Sequence, residues 1–161
     1  MGAVVWLRVL LCITGLGLSI YALHVETSKV KNKDFKALCD INEHMSCSKV
    51  FASKYGTGFG LVEPVLGKNS QLNVPNSIFG ILFYTLVCLI GFSSSKFAAF
   101  LNLAFSIASC FGSLYLGYIL YFVLHDVCLV CLSTYVVNAL LLVLNIISFG
   151  QSTTTKKSKK E

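Results

Sequence analysis

Long apolar segments and one polar segment alternate along the 161-residue chain. Apolar residues dominate four segments, 3–23, 77–92, 97–124 and 127–149. Because about 20 helical residues cross the hydrocarbon core of a bilayer, the pattern predicts four membrane-spanning helices. The second segment is short, which predicts local thinning of the bilayer or extension of its helix. The predicted fold is an all-α membrane protein, a four-transmembrane-helix bundle in a single domain of residues 1–161.

The polar residues between the first two segments form a loop, 26–75, that is too long for a structureless connection in a compact protein. Helical spacing within 34–54 and apolar residues within 59–66 predict a cap of short helices on the membrane surface. An amphipathic loop that packs on itself is the alternative. Arg8 lies near the start of the first span and is expected to reach the lipid headgroups. A cleaved signal peptide is the competing interpretation of that span.

Composition and charge add an orientation to this picture. The chain is 55% hydrophobic and 12% charged, as expected for a protein in contact with the lipid bilayer. Its net charge of +6 comes without an aromatic-interleaved basic patch, so no nucleic acid is expected as a partner. Four spans place both termini on one side. Lys96 and the basic tail, 150–161, put that side in the cytoplasm by the positive-inside rule.

The expected topology leaves the loop and the start of the fourth span in an oxidising lumen, where cysteine pairs persist. The final residues, Lys157-Ser-Lys-Lys-Glu161, resemble a dilysine signal for retrieval to the endoplasmic reticulum. A generic basic membrane anchor explains the same residues. The expected localisation is therefore the endoplasmic reticulum membrane, with a multi-pass chain and cytoplasmic termini.

A Cys-x-x-Cys pair, Cys128 and Cys131, opens the fourth span, so both thiols lie on one helix face. A helix that begins near Asp126 has Cys128 in its first turn, where free N–H groups favour a thiolate. Tyr135 lies one turn deeper, and its buried hydroxyl needs a partner such as a carbonyl oxygen. Plain small hydrophobic residues are one alternative. A zinc site with Cys39 and Cys47 and a pair of structural disulfides are the others.

Four further residues have open interpretations. Asn76 begins the second span, either as a helix N-cap or as a donor to a ligand oxygen. Cys12, Cys88 and Cys110 lie inside spans without a partner at useful spacing, so they are expected to be passive core residues.

The sequence resembles the vitamin K epoxide reductase family over nearly its whole length. The matching stretches are Leu18–His24, Ala37–Asp40, Cys47–Ser48, Gly58–Leu61, Asn76–Gly80, Gly112–Tyr115, Cys128–Cys131 and Thr134–Tyr135. Residues 118–124 favour the like-1 branch of the family, whereas Val50 and Phe51 favour the reductase branch.

The resemblance implies an enzyme that reduces vitamin K 2,3-epoxide to the quinone and the quinone to the hydroquinone. Cys131 would attack the substrate and Cys128 would resolve the adduct. Cys39 and Cys47 would relay electrons from a luminal thioredoxin-like oxidoreductase. The redox-active disulfides would be Cys39–Cys47 and Cys128–Cys131, with no tightly bound cofactor and no metal.

The resemblance also implies that Asn76 and Tyr135 bind substrate oxygens and that Phe51 packs on warfarin-type anticoagulants. Two other functions stay open. The same thiols serve a quinone-linked oxidase that generates disulfides in luminal proteins, and a non-catalytic tetraspan protein with structural disulfides has a similar pattern.

Overall fold

The computed structural model describes residues 2–42, 45–67, 70–93 and 95–158, the last six of these by their backbone alone. The helices are α1 (Gly2–Lys31), α2 (Cys47–Ala52), α3 (Val62–Leu66), α4 (Asn76–Gly91), α5 (Lys96–Tyr118) and α6 (Leu129–Ser158). Within these described ranges the chain forms no β-strand, only isolated bridges. The expected dilysine signal is Lys157-Ser-Lys-Lys-Glu161, and its residues 159–161 lie outside the described residues.

Three of the helical segments, Gly2–Lys31, Lys96–Leu124 and Leu129–Ser152, are long and apolar enough to cross a membrane. The fourth apolar helix, α4, has only 16 residues. The prediction of a helical membrane protein is therefore confirmed. Several such helices in one chain indicate a multi-pass membrane protein.

Helix α1 packs closely against α4 because a glycine on each helix lets the other helix approach. A Cβ atom at Gly15 would overlap the ring of Tyr84, and one at Gly80 would meet the Ser19 hydroxyl. Small residues let helix backbones approach one another where lipid removes the hydrophobic driving force between helices.

Arg8 does not extend to the lipid headgroups, and that expectation was wrong. Its side chain is buried, with 6% of its surface exposed. One terminal nitrogen donates to the carbonyl oxygen of Gly91 at 3.1 Å, and the other donates to the Ser148 hydroxyl. The guanidinium finds its partners inside the protein, so it ties α1 to α4 and α6.

The loop of residues 32–75, called here the α1–α4 loop, contains the predicted short helices as α2 and α3. Ser46 starts α2 by accepting a hydrogen bond from the backbone N–H of Lys49. Gly58, Phe59 and Gly60 then form a one-turn 3₁₀ segment with φ values of 52°, 56° and 69°. This tight turn directs the Phe59 ring onto Phe79 of α4, with ring centroids 5.4 Å apart.

The connection between α5 and α6 is longer than the gap of two residues between the predicted spans 97–124 and 127–149. A π-helical turn, Ile119–Leu124, extends α5, and His125 adopts a left-handed conformation with φ of 52°. Helix α6 then begins at Leu129 rather than near Asp126. Asp126 does not cap it, since its carboxylate lies 4.0 Å from the Lys49 ammonium instead.

Candidate active site

A cavity of about 350 Å³ opens between α1, α4, α5 and α6 beneath the α1–α4 loop. Its wall is mostly apolar, with Phe51 and Phe59 from the loop and Phe79 and Phe83 from α4. Polar groups enter it at few points. A mostly apolar cavity with a few fixed polar groups is typical of a site for a small hydrophobic molecule.

The two cysteines of the Cys-x-x-Cys pair have different surroundings. Cys131 lines the cavity, whereas Cys128 has no exposed surface and does not line it. Both are free thiols. The backbone N–H of Cys131 donates to the sulfur of Cys128 at 3.3 Å. Cys128 therefore takes the capping position at the start of α6, where N–H donors and the helix dipole favour a thiolate.

The second pair of cysteines, Cys39 and Cys47, forms a disulfide within the α1–α4 loop. This confirms the predicted pairing, and in this state the two sulfurs are not available as thiolate ligands of a metal. Cys47 is fully buried and shares a core cluster with Cys128, whereas Cys39 is 9% exposed at the edge of that cluster. The Tyr21 hydroxyl lies 3.9 Å from the sulfur of Cys39.

Asp40 holds together the stretch that carries this disulfide. Its carboxylate accepts hydrogen bonds from the backbone N–H groups of Ala37 and Ser48 and from the hydroxyls of Ser46 and Ser48. Burial alone would raise the pKa of Asp40. The hydrogen bonds from Ser48, Ala37 and Ser46 outweigh burial and hold the pKa below its usual range.

Asn76 lines the cavity. One interpretation expected it to be the N-cap of α4, and that interpretation was wrong. Its side-chain oxygen accepts from the Phe59 N–H at 2.8 Å, and its amide nitrogen donates to the Tyr55 carbonyl at 2.6 Å. Asn76 already lies in the first turn, so its side chain is directed at the loop above. It fixes that loop over the cavity and keeps one amide hydrogen for another acceptor.

Tyr135 of α6 and Phe51 of α2 also line the cavity. Among the described residues, the Tyr135 hydroxyl has no hydrogen-bond partner. A buried tyrosine normally has a partner for its hydroxyl. The hydroxyl is thus free to bind a polar atom in the cavity.

A polar chain along the cavity wall went unnoticed in the sequence. The Tyr84 hydroxyl donates to the Asn138 side-chain oxygen at 2.9 Å, and the Asn138 amide donates to the Ser113 hydroxyl at 2.9 Å. All three residues line the cavity. The available signal was Asn138, an amide within an apolar span that lies three residues after Tyr135 and so shares its helix face.

A reducible disulfide, a nearby dithiol and an apolar cavity among membrane helices define a membrane-embedded thiol oxidoreductase. Comparison with known proteins agrees. The model of the "Vitamin K epoxide reductase family" matches residues 6–146. "Vitamin K epoxide reductase complex subunit 1" of Rattus norvegicus is 52% identical over 139 residues, covering 86% of each chain. The protein of that name from Mus musculus is 49% identical over 138 residues, again covering 86% of each chain. The chain belongs to the vitamin K epoxide reductase family.

Proposed function

We propose that this protein reduces vitamin K 2,3-epoxide to vitamin K quinone, and the quinone to the hydroquinone, with Cys131 as the nucleophile. The observation that carries the proposal is the Cys131 thiol in the wall of a mostly apolar cavity. A fused-ring quinone with an apolar side chain is soluble in a membrane and matches such a wall. The names of the rat and mouse relatives point to the same substrate.

In the first half of the reaction the Cys131 thiolate attacks an epoxide carbon, which opens the strained ring and leaves a covalent adduct. The Cys128 thiolate then attacks the Cys131 sulfur, so that a Cys128–Cys131 disulfide forms as the carbon–sulfur bond breaks. The two thiols give up two electrons and two protons, and the epoxide oxygen leaves as water. After the Cys128–Cys131 disulfide is reduced again, the two thiols supply a second pair of electrons to the quinone, and their two protons go to the quinone oxygens.

Negative charge develops on substrate oxygen in both reactions, and Asn76 and Tyr135 are suited to stabilise it. Among the described residues, one amide hydrogen of Asn76 and the Tyr135 hydroxyl have no hydrogen-bond partner, and both residues line the cavity. Fixed donors in a cavity that excludes water stabilise an oxyanion strongly. Phe51, on the loop side of the cavity, is the proposed contact for warfarin-type anticoagulants.

The Cys39–Cys47 disulfide is the proposed relay to an outside reductant. Cys39, the more exposed of the two, receives electrons from a luminal thioredoxin-like oxidoreductase. Cys47, in the core cluster with Cys128, passes them on by thiol–disulfide exchange. An oxidised loop pair together with a reduced Cys128–Cys131 pair is the state that follows this transfer.

The proposed reaction takes place in a membrane. All four apolar helices span the endoplasmic reticulum membrane, the α1–α4 loop forms a luminal cap over the cavity, and both termini face the cytoplasm. Cys39 then meets the oxidoreductases of the lumen, while a lipid-soluble substrate enters from the bilayer.

The test is turnover of vitamin K epoxide by the purified full-length protein, with dithiothreitol as reductant. Cys131→Ala is expected to reduce product formation to the uncatalysed background, because dithiothreitol replaces the relay but not the nucleophile. Cys110→Ala, in α5 away from the cavity wall, is the matched control and keeps wild-type turnover. Product formation by Cys131→Ala at the wild-type rate would overturn the assignment.

A further inference from the structure

The far end of the helix bundle contains a second pair of neighbouring thiols, Cys12 of α1 and Cys88 of α4. Cys12 belongs to the core cluster that includes Tyr84 and Leu141, and Cys88 packs against that cluster. The cluster that holds Cys128 meets α1 at Ala22 and Val25 instead. Ten helical residues separate Cys12 from Ala22, which is about 15 Å along the helix. The Cys12–Cys88 pair is therefore remote from the proposed redox centre.

The register between α1 and α4 places these two cysteines side by side. Three contacts join the antiparallel helices: Arg8 with Gly91, Gly15 with Tyr84, and Ser19 with Gly80. From one contact to the next, the residue number rises on α1 by as much as it falls on α4. Cys12 lies one turn beyond Arg8, and Cys88 lies one turn before Gly91, so both fall between the first two contacts. Both cysteines therefore lie at the contact between α1 and α4.

Arg8 provides a positive charge beside this pair. Arg8 lies one turn before Cys12 on α1, and its guanidinium donates to the carbonyl oxygen of Gly91, one turn after Cys88 on α4. Its Nε has no hydrogen-bond partner in the described part of the chain. A buried cation within a membrane-spanning helix is costly and typically marks a functional position.

The two thiols differ in access. Cys12 is 2% exposed, whereas Cys88 is only half-buried. A small neutral oxidant that dissolves in membranes therefore meets Cys88 first. The Cys12 thiol is then positioned to react with the oxidised sulfur of Cys88.

We propose that Cys12 and Cys88 form a second redox site, which peroxide converts into a disulfide between α1 and α4. Cys88 attacks hydrogen peroxide, becomes a sulfenic acid and releases one water molecule. The Cys12 thiol then attacks the Cys88 sulfur, which forms the disulfide and releases a second water. Two electrons pass from the two sulfurs to peroxide, and a thiol reductant reverses the change. Since α1 and α4 both line the cavity, the bond fixes two of its walls together.

The test uses the full-length protein in membranes. The protein is reduced with dithiothreitol, freed of reductant, exposed to hydrogen peroxide, blocked with N-ethylmaleimide and digested. Mass spectrometry is expected to detect a peptide pair linked through Cys12 and Cys88. The pair is expected to vanish in Cys12→Ser and in Cys88→Ser, and to persist in Cys110→Ser. Re-formation of the Cys39–Cys47 disulfide in the same sample verifies that the oxidant acted.

A second measurement tests whether Cys88 is oxidised first and Cys12 reacts with it afterwards. In Cys12→Ser, the Cys88 sulfenic acid has no partner, so labelling of Cys88 by dimedone is expected to increase over wild type. Two results would overturn the proposal. One is a sample in which the Cys39–Cys47 disulfide forms again completely, yet the amount of Cys12–Cys88 peptide pair is no greater than the amount of peptides linked at random through Cys110. The other is dimedone labelling at Cys88 that does not change when Cys12 is replaced.

Discussion

Cys128 and Cys131 are three residues apart, yet the structure gives them separate environments. Cys131 borders the cavity, while Cys128 is fully buried and accepts the Cys131 backbone N–H. The difference arises because α6 begins between them, at Leu129. One thiol thus borders the cavity and the other shares a buried cluster with the loop disulfide, which is the arrangement that the proposed two-step thiol chemistry requires.

Tyr135→Phe removes a hydroxyl from the cavity wall without changing its shape. We expect the inhibition constant of a warfarin-type compound to increase about fivefold, the effect of losing one hydrogen bond to a neutral acceptor. Inhibition of epoxide turnover at several inhibitor concentrations measures it. Tyr121→Phe removes a hydroxyl from an exposed ring outside the cavity and serves as the control. Equal inhibition constants for Tyr135→Phe and wild type would contradict a ligand contact at this hydroxyl.

At the scale of elements, the α1–α4 loop combines three tasks in a short stretch. It carries the Cys39–Cys47 disulfide, places Cys47 beside Cys128, and covers the cavity with residues that Asn76 holds in place. None of these tasks depends on a long helix. The loop is instead fixed by side chains that bond to its backbone, chiefly Asp40 and Asn76.

Replacing both Cys39 and Cys47 with alanine tests the relay. Turnover with dithiothreitol is expected to stay near wild type, because a small reductant reaches the Cys128–Cys131 disulfide directly. Turnover with a reduced thioredoxin-like protein is expected to be lost, because such a donor is too large to enter the bundle. Parallel assays with the two reductants measure the difference, and an equal loss with both would contradict a relay role.

Acidification is expected to loosen the loop through Asp40. Its pKa is lowered in the folded protein, so its contribution to stability is complete above the unfolded pKa of about 3.9 and disappears as pH falls through the folded pKa. Hydrogen exchange of residues 37–42, corrected for the intrinsic pH effect, measures this loosening. Asp40→Asn is expected to exchange faster already at neutral pH. Asp34→Asn, on an exposed residue, is the control, and identical exchange in Asp40→Asn and wild type would contradict the prediction.

At the scale of the whole molecule, two core clusters divide the bundle. One surrounds Cys47 and Cys128 below the loop, and the other surrounds Tyr84 and Leu141 farther along the helices. The cavity lies along α1, α4, α5 and α6 between the loop and the Tyr84–Asn138 hydrogen bond. The proposed topology exposes the first end of this bundle to the lumen.

Single introduced cysteines at Lys33 and Ser95 test that topology in sealed microsomes. Both side chains are exposed, one in the α1–α4 loop and the other between α4 and α5. A maleimide that does not cross membranes is expected to label the cysteine at position 95 at once. It is expected to label position 33 only after the vesicles are opened. Labelling of position 33 in intact microsomes would reverse the proposed orientation.

The sequence by itself determined the class of fold and the chemistry available to it. Long apolar segments predicted the helical membrane protein, because segment length and hydropathy are local properties that need no knowledge of packing. The Cys-x-x-Cys pair and Tyr135 likewise share one face of α6 by helix periodicity alone. The cysteine pairing in the loop came from the resemblance to a known family, and the structure confirmed it.

Tertiary structure decided which distant residues meet. The register between α1 and α4 brought Cys12 and Cys88 to one core cluster and buried Arg8 against Gly91, although the sequence suggested an arginine at the headgroups. The close approach at Gly15 and Tyr84 fixes that register. The same packing directed Asn76 to the loop and Tyr84 to Asn138. Periodicity states which face of a helix is polar, but the relative depth of two helices depends on contacts between residues far apart in the chain.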